Sequence, residues 1–153
     1  MLEAVIRDAQ GVFFPTMDQY VDLMESLWSS DYKFCSDLCG VDYLEMPSRK
    51  LPEGVKAERF EIVVNVTSFE TRSRLRVRLQ VQESNPHLPT LYGLYPGTEA
   101  MEREVYDLLG MVFDGHPDLS RILLPEEWEG HPLRKDYSVG RIPVQFKAST
   151  AIR

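Results

Sequence analysis

Two stretches of alternating apolar and polar residues in the middle of the chain constrain its fold more than any other feature. Every second residue is apolar in both, at Phe60, Ile62, Val64 and Val66 and again at Leu75, Val77, Leu79 and Val81. A period of two predicts strands that bury one face, and the short connection at residues 70–73 predicts a hairpin. The expected architecture is a mixed, largely antiparallel sheet with helices packed on one face, an α/β (α+β) fold.

Two amphipathic helices are predicted to cover that face. The first follows a capping box formed by Thr16 and Gln19, and its apolar residues recur at helical spacing through Trp28. The second begins after Thr98, the expected N-cap, and ends at Gly110. A further short helix is expected over residues 2–10.

Size and composition are typical of one globular domain. The chain has 153 residues, and we expect a domain over residues 1–137 followed by an extended tail at 138–153 that has no apolar period. A net charge of −7 makes nucleic acid an unexpected partner. No apolar run approaches the roughly 20 residues that cross a bilayer, so direct membrane insertion is not expected.

The sequence lacks the common motifs for cofactors and metals. It has no glycine-rich phosphate loop, and its two cysteines, Cys35 and Cys39, are too few for an iron–sulfur cluster. Two cysteines without a secretory signal indicate a reducing compartment, where both are expected to be small buried hydrophobic side chains and a disulfide is the less favoured alternative. We therefore expect no catalytic residue, no metal and no cofactor bound by this chain.

The densest group of charged and turn-forming residues follows Thr98. Glu102 and Glu104 are two residues apart, which on a helix means a rotation of about 200°. They cannot share one ion, and we expect each to hold a basic residue of this chain or of a partner. His116 and His131 both lie in Gly-His-Pro tripeptides, where each imidazole is expected to hydrogen-bond backbone at a turn.

These residues also carry a resemblance. The pattern ERE-VYDLLG-x-x-F-x-GHPDL-x-RIL-x-P, closed by GHPLRKDY, resembles the signature of the C subunit (the 30 kDa subunit family) of proton-pumping NADH:quinone oxidoreductase, respiratory complex I. It extends from Glu102 to Tyr137, with weaker similarity at residues 37–43 and 59–81. The family usually has a basic residue or proline at the position of Ser120, so one contact is expected to be weaker here.

The resemblance implies a structural subunit without a redox centre. In the family, NADH, FMN, the iron–sulfur clusters and quinone belong to other subunits. The C subunit is a scaffold of the peripheral arm, on the cytoplasmic side of the membrane, packed on the D subunit. By the same resemblance the tail at 138–153 lies along a partner, and the family motif places the interface at Glu102, Glu104, Arg121, His131, Arg134, Lys135 and Asp136.

The cationic end of the motif leads to two more specific expectations. Asp136 is expected to hold the basic pair Arg134 and Lys135 in place. Replacing Arg134 by alanine is expected to weaken assembly more than it changes the isolated fold.

A basic stripe on the second strand of the hairpin is a further candidate. Its members are Arg72, Arg74, Arg76 and Arg78. The stripe is expected either to be a solvated sheet face or to dock on carboxylates, those of a neighbouring subunit or of Glu61 and Glu70.

Two other functions stay open from the sequence. One is the equivalent subunit of a related complex with a different electron donor, of hydrogenase type or oxidising another reduced cofactor. The other is a small metal-dependent hydrolase that uses Glu104, Asp107 and His116.

Overall fold

A five-stranded sheet forms the centre of the computed structural model, which describes residues 5–138. In chain order the elements are β1 (Ile6–Arg7), β2 (Phe13–Phe14), α1 (Met17–Ser29), β3 (Phe34–Asp42), β4 (Phe60–Ser68), β5 (Ser73–Val81), β6 (His87–Pro89), α2 (Glu99–Leu109) and β7 (Val112–Asp114). The strand order is β1-β2-β5-β4-β3, and β6 and β7 form a separate two-stranded sheet.

The predicted hairpin is confirmed as β4 and β5. Phe60 lies opposite Val81, and Val66 lies opposite Leu75, so the apolar residues of both strands share one face. The main sheet is largely antiparallel, as expected, although β2 pairs with β5 in parallel, as β6 does with β7. The sheet with its two helices therefore has the expected α+β class.

Both long helices pack on the same face of the sheet. Helix α1 buries Tyr20, Leu23, Met24 and Leu27, and its predicted capping box is present. Helix α2 crosses β3 at Gly40, where an added Cβ would lie 2.6 Å from Leu109 Cδ1. A glycine is therefore required for this close approach.

One local prediction was wrong, and a second, Thr98 as the N-cap of α2, is right in position but not in its capping hydrogen bond. Residues 6 and 7 form a strand rather than a helix, because the Asp8 carboxylate accepts hydrogen bonds from the Gln10 and Val12 N–H groups and turns the chain back to pair β1 with β2. The Thr98 hydroxyl does not cap helix α2 but donates to Glu102 Oε1 at 3.0 Å. A short 3-10 turn at Pro96–Thr98 leads into that helix instead.

A long irregular segment follows β7. Residues 115–138 contain no helix or strand and run along the C-terminal half of α2 and past the end of β3. The expected tail at 138–153 lies outside the described residues, apart from Ser138. The domain boundary at residue 137 therefore stays a prediction.

Candidate partner interface around helix α2

Glu102, predicted to hold a partner, is completely buried. Its Oε1 atom accepts hydrogen bonds from the Leu91 N–H and the Thr98 hydroxyl, and its Oε2 atom accepts one from the Thr90 hydroxyl. Burial raises the pKa of the Glu102 carboxyl, although these hydrogen bonds oppose the shift. Glu102 therefore fastens the loop before α2 within the chain itself, and its assignment as an interface residue stays a prediction.

Asp107, also completely buried, fastens the segment that follows β7. Its Oδ2 atom accepts hydrogen bonds from three consecutive backbone N–H groups, those of Ile122, Leu123 and Leu124. Its Oδ1 atom lies 2.6 Å from Arg121 Nη1. Burial raises the pKa of this carboxyl, but the hydrogen bonds outweigh burial and the pKa lies below its usual value.

The GHPLRKDY motif caps the C-terminal end of α2. The last carbonyl groups of a helix have no partner within the helix. Here His131 Nδ1 bonds the Asp107 carbonyl at 3.0 Å, the Leu133 N–H donates to the Leu108 carbonyl at 3.0 Å, and Arg134 Nε donates to the Leu109 carbonyl at 2.6 Å. Three family residues thus satisfy three consecutive carbonyls of the chain itself.

Gly110 makes this arrangement possible. It has φ +73°, in the left-handed region, and an added Cβ would lie 2.5 Å from His131 Nε2 and 2.7 Å from Arg134 Nη2. Only glycine combines that backbone conformation with so close an approach.

The end of the motif is attached to the sheet by Arg59. Its guanidinium bonds Asp42 and Asp136 at 2.8 Å and 2.7 Å and also reaches Glu83. Asp136 therefore holds Arg59 rather than Arg134 and Lys135, which corrects the predicted role. The Lys135 N–H donates to Asp42 Oδ2 at 2.9 Å, and its side chain is exposed.

The basic stripe divides into two parts. Arg78 Nε donates to buried Glu61 at 2.7 Å, so the expected pairing with Glu61 is confirmed for this arginine. Arg76 is exposed, and its Nε donates to the Asn65 amide oxygen at 3.0 Å. Arg72 and Arg74, nearest the hairpin turn, are exposed.

Three exposed apolar side chains in the same segment were not predicted. They are Ile122, Leu123 and Leu133, which we call the signature surface. Asp107 holds the backbone on either side of Leu123, and 61% of Leu123 is exposed. Glu126, Glu127 and Glu129 follow in sequence and are exposed. The sequence shows the run of apolar residues in RILLP, but it does not show whether their side chains face the core or the solvent.

The residues proposed for a metal-dependent hydrolase are not brought together. Within residues 5–138, no three His, Cys, Asp or Glu side chains are placed to hold a metal ion. Asp107 is bound as described above, and His116 Nε2 lies 3.1 Å from the Glu99 carbonyl. His116 and His131 both bond backbone, which confirms their predicted role. Glu104, the third candidate, is exposed.

Two further features bear on the environment of the chain. Cys35 is a buried free thiol, and burial raises its pKa to about 11, while Cys39 is a half-buried free thiol.

No helix among residues 5–138 has both the length and the apolar character that crossing a bilayer requires.

Sequence relatives agree on one family. The family model described as "Respiratory-chain NADH dehydrogenase, 30 Kd subunit" matches residues 16–142. The NADH-quinone oxidoreductase C subunit of Salinispora arenicola is 45% identical over 77% of this chain and 44% of its own length. The C subunit of Roseiflexus sp. is 47% identical over 75% of this chain and 60% of its own length. The chain thus spans about half the length of these two relatives. NADH-quinone oxidoreductase subunit 5 of Thermus thermophilus is 37% identical over 95% of this chain and 76% of its own length.

Solved structures have the same fold. A trypsin-resistant fragment of Nqo5 superimposes with a TM-score of 0.65 at 33% identity, covering 75% of this chain and 88% of that chain. A chain of the archaeal membrane-bound sulfane sulfur reductase gives a TM-score of 0.70 at 17% identity, over 97% and 90% of the two chains, and shows the fold alone. The family match, which includes the whole signature from Glu102 to Tyr137, and these relatives together establish that the chain belongs to the 30 kDa subunit family of the respiratory-chain NADH dehydrogenase.

Proposed function

We propose that the chain is a non-catalytic structural subunit in the peripheral arm of a proton-translocating NADH:quinone oxidoreductase. The match of the family over residues 16–142 carries this proposal. In this function the chain lies on the cytoplasmic side of the membrane and is held there by neighbouring subunits, chiefly the D subunit. NADH, FMN, iron–sulfur clusters and quinone are bound by other subunits.

The internal role of the signature residues supports a structural function. Glu102, Asp107 and Arg121 use their hydrogen-bonding groups within the chain, and so do His131 and Arg134. These internal contacts hold the signature surface in place, and the partner contacts that surface together with the exposed side chains of Glu104 and Lys135. Arg121, His131 and Arg134 then act on the partner by positioning this surface.

The chemistry of the signature surface indicates the complementary partner site. Ile122, Leu123 and Leu133 need an apolar groove, since burying one leucine contributes about 1.5–3 kcal/mol. The acidic residues at 126, 127 and 129 favour basic side chains along the rim of that groove. Rigid backbone attachment at Asp107 reduces the entropy lost on binding.

Co-purification tests the proposal. The tagged chain is recovered from gently solubilised membranes, and the bound fraction is assayed for NADH:quinone reductase activity. Recovery of a large complex that oxidises NADH supports the proposal. A complex that reduces quinone only with hydrogen or another reduced cofactor identifies the related complex with a different donor. A chain recovered alone contradicts both functions.

A matched pair of variants tests the interface. Leu123→Ser is compared with Met46→Ser, because these side chains are 61% and 62% exposed. We expect roughly tenfold less complex with Leu123→Ser, corresponding to about 1.4 kcal/mol, and wild-type recovery with Met46→Ser. Equal recovery of the two variants would assign the interface elsewhere.

A further inference from the structure

An exposed aromatic pair lies beside the turn between β4 and β5, formed by Phe34 at the start of β3 and Phe69 in the turn, and neither ring belongs to the core. Phe34 and Phe69 are 48% and 72% exposed. Their ring centroids lie 5.3 Å apart with the planes inclined by 45°. The two rings are in tilted contact, so together they form one apolar surface in contact with solvent.

Three cations lie next to this pair in sequence and on the hairpin. Lys33, Arg72 and Arg74 are exposed, and none of them forms an ion pair within residues 5–138. The Lys33 ammonium lies 5.2 Å from the centre of the Trp28 ring. Arg72 and Arg74 thus leave two guanidinium groups without ion pairs at one turn of a chain whose net charge is −7.

The acidic residues of the same region do not neutralise these cations. Asp31 Oδ2 accepts a hydrogen bond from the Ser68 hydroxyl at 2.7 Å, which holds its carboxylate at the base of the turn. Glu70 is exposed and forms no ion pair among the described residues. Arg72 and Arg74 therefore keep their donors available for carboxylates outside the chain.

The hairpin turn is built to hold this surface in place. Arg72 has φ +51°, a conformation that few non-glycine residues adopt. The Ser68 hydroxyl accepts a hydrogen bond from the Thr71 N–H at 3.1 Å, and the Thr71 and Ser73 hydroxyls lie 2.7 Å apart. Phe69, Arg72 and Arg74 line a groove of about 400 Å³ beside the turn. A groove, an aromatic pair and free guanidinium groups thus occur together.

This end of the sheet is distant from the end to which residues 135 and 136 are attached. The Lys135 N–H bonds Asp42 and Asp136 bonds Arg59, next to the start of β4, whereas the turn follows the last residue of β4, Ser68. A strand of nine residues separates the two ends by about 26 Å at roughly 3.3 Å per residue. The loop that carries Ile122 and Leu123 continues into three exposed glutamates, whereas the hairpin end is basic, so the two sites suit partners of opposite charge.

We propose that Lys33, Phe34, Phe69, Arg72 and Arg74, the hairpin-end surface, dock an acidic segment of a second neighbouring protein. The segment places an apolar side chain on the phenylalanine pair and its carboxylates on the arginines. This inference rests on the proposed function in one respect, because the second neighbour is another subunit of the same complex. The chain then connects two neighbours through opposite ends of one rigid sheet.

Site-specific crosslinking tests the docking directly. A photoreactive benzophenone amino acid replaces Phe69 in the tagged full chain, and replaces Met46 in the control. After irradiation of membranes, we expect position 69 to give a covalent adduct with a protein whose crosslinked peptide contains Asp or Glu, and the control to give none. An adduct with a second copy of this chain, with lipid, or with no partner would overturn the proposal.

Charge reversal supplies the second measurement. Arg72→Glu combined with Arg74→Glu is compared with Lys50→Glu, an exposed lysine in the loop between β3 and β4. We expect the double variant to give roughly tenfold less crosslinked adduct and to recover roughly tenfold less of the second neighbour. Thermal unfolding of the free chain should be unchanged. The wild-type chain recovered alone would contradict the proposed function itself. If every variant recovers as much of the complex as the wild-type chain does, only the proposal for the hairpin-end surface is contradicted.

Discussion

The Asp107 carboxylate and the Arg121 guanidinium form an ion pair that fastens the segment after β7 to helix α2. The distance between Oδ1 and Nη1 is 2.6 Å. Nη2 of Arg121 also donates to the Trp128 and Gly130 carbonyls, at 2.8 Å and 3.0 Å. One arginine therefore closes the loop at residues 121–130 against the helix, and the signature surface depends on that closure.

Replacing Asp107 by asparagine should strongly destabilise the chain. The variant keeps one carbonyl oxygen but loses the charge that pairs with Arg121, and its amide donors face the N–H groups of Ile122, Leu123 and Leu124. We expect a loss of about 3–5 kcal/mol in the free energy of unfolding, measured by urea denaturation. Glu104→Gln on the same helix is the control, because Glu104 is exposed, and a change within about 0.5 kcal/mol is expected. Equal effects of the two variants would contradict the central role of Asp107.

Gly110→Ala should detach the segment at residues 131–134 from the end of helix α2. The added Cβ meets His131 and Arg134 and is strained at φ +73°, so we expect a loss of about 1–3 kcal/mol. Hydrogen exchange of the Leu133 amide, which bonds the Leu108 carbonyl, should become faster. Gly97→Ala is the control, since no atom lies within 4 Å of its added Cβ. Unchanged protection of Leu133 would show that the segment tolerates the added methyl group.

Arg134→Ala and Lys135→Ala should separate internal packing from docking. Arg134 donates to the Leu109 carbonyl, and its guanidinium lies 5.2 Å from the centre of the Phe60 ring. We expect Arg134→Ala to reduce the stability of the free chain by about 1–3 kcal/mol, an effect on the isolated fold that accompanies the predicted loss of assembly. Lys135→Ala should leave thermal unfolding unchanged, because its exposed side chain has no ion pair among the described residues.

Acid should destabilise the chain through groups whose folded-state pKa is low. The pKa of Asp136 is lowered chiefly by Arg59, while hydrogen bonds lower those of Asp42 and Asp107 despite burial. A lowered carboxyl pKa contributes stability above the unfolded value of about 3.9, and that stability is lost as pH falls through the folded pKa. Burial lowers the pKa of His131, so its contribution begins to be lost below about pH 6.5.

A series of urea titrations from pH 7 to pH 3 measures this dependence. Glu102 acts in the opposite direction, because its raised pKa makes the folded chain bind a proton more readily and partly offsets the loss just above pH ~4.3. Glu102→Gln should therefore make the fall in stability with acid steeper in that range. A stability that rises steadily from pH 7 to pH 4 would contradict these directions.

Helical geometry predicted part of the candidate site correctly. Glu102 and Glu104 do lie on different sides of α2, as a spacing of two residues requires. A helical repeat contains no information about what covers each side, and here the loop before α2 covers Glu102 while Glu104 faces solvent. The same limitation hid the signature surface, because the direction of Leu123 follows from the hydrogen bonds of its backbone to Asp107.

Local pattern and family signature determined the hairpin, the two long helices and the family of this protein. These features depend on residues within a few positions of each other, or on a motif read in order. The tertiary structure alone decided that the polar signature residues act within the chain. Arg134 bonds a carbonyl 25 residues away, Asp136 an arginine 77 residues away, and the Lys135 N–H a carboxylate 93 residues away. Contacts across such separations form only after the sheet and helices have brought distant segments together. Buried carboxylates and helix ends need hydrogen-bond partners, and the segment that passes nearby in the folded chain supplies them.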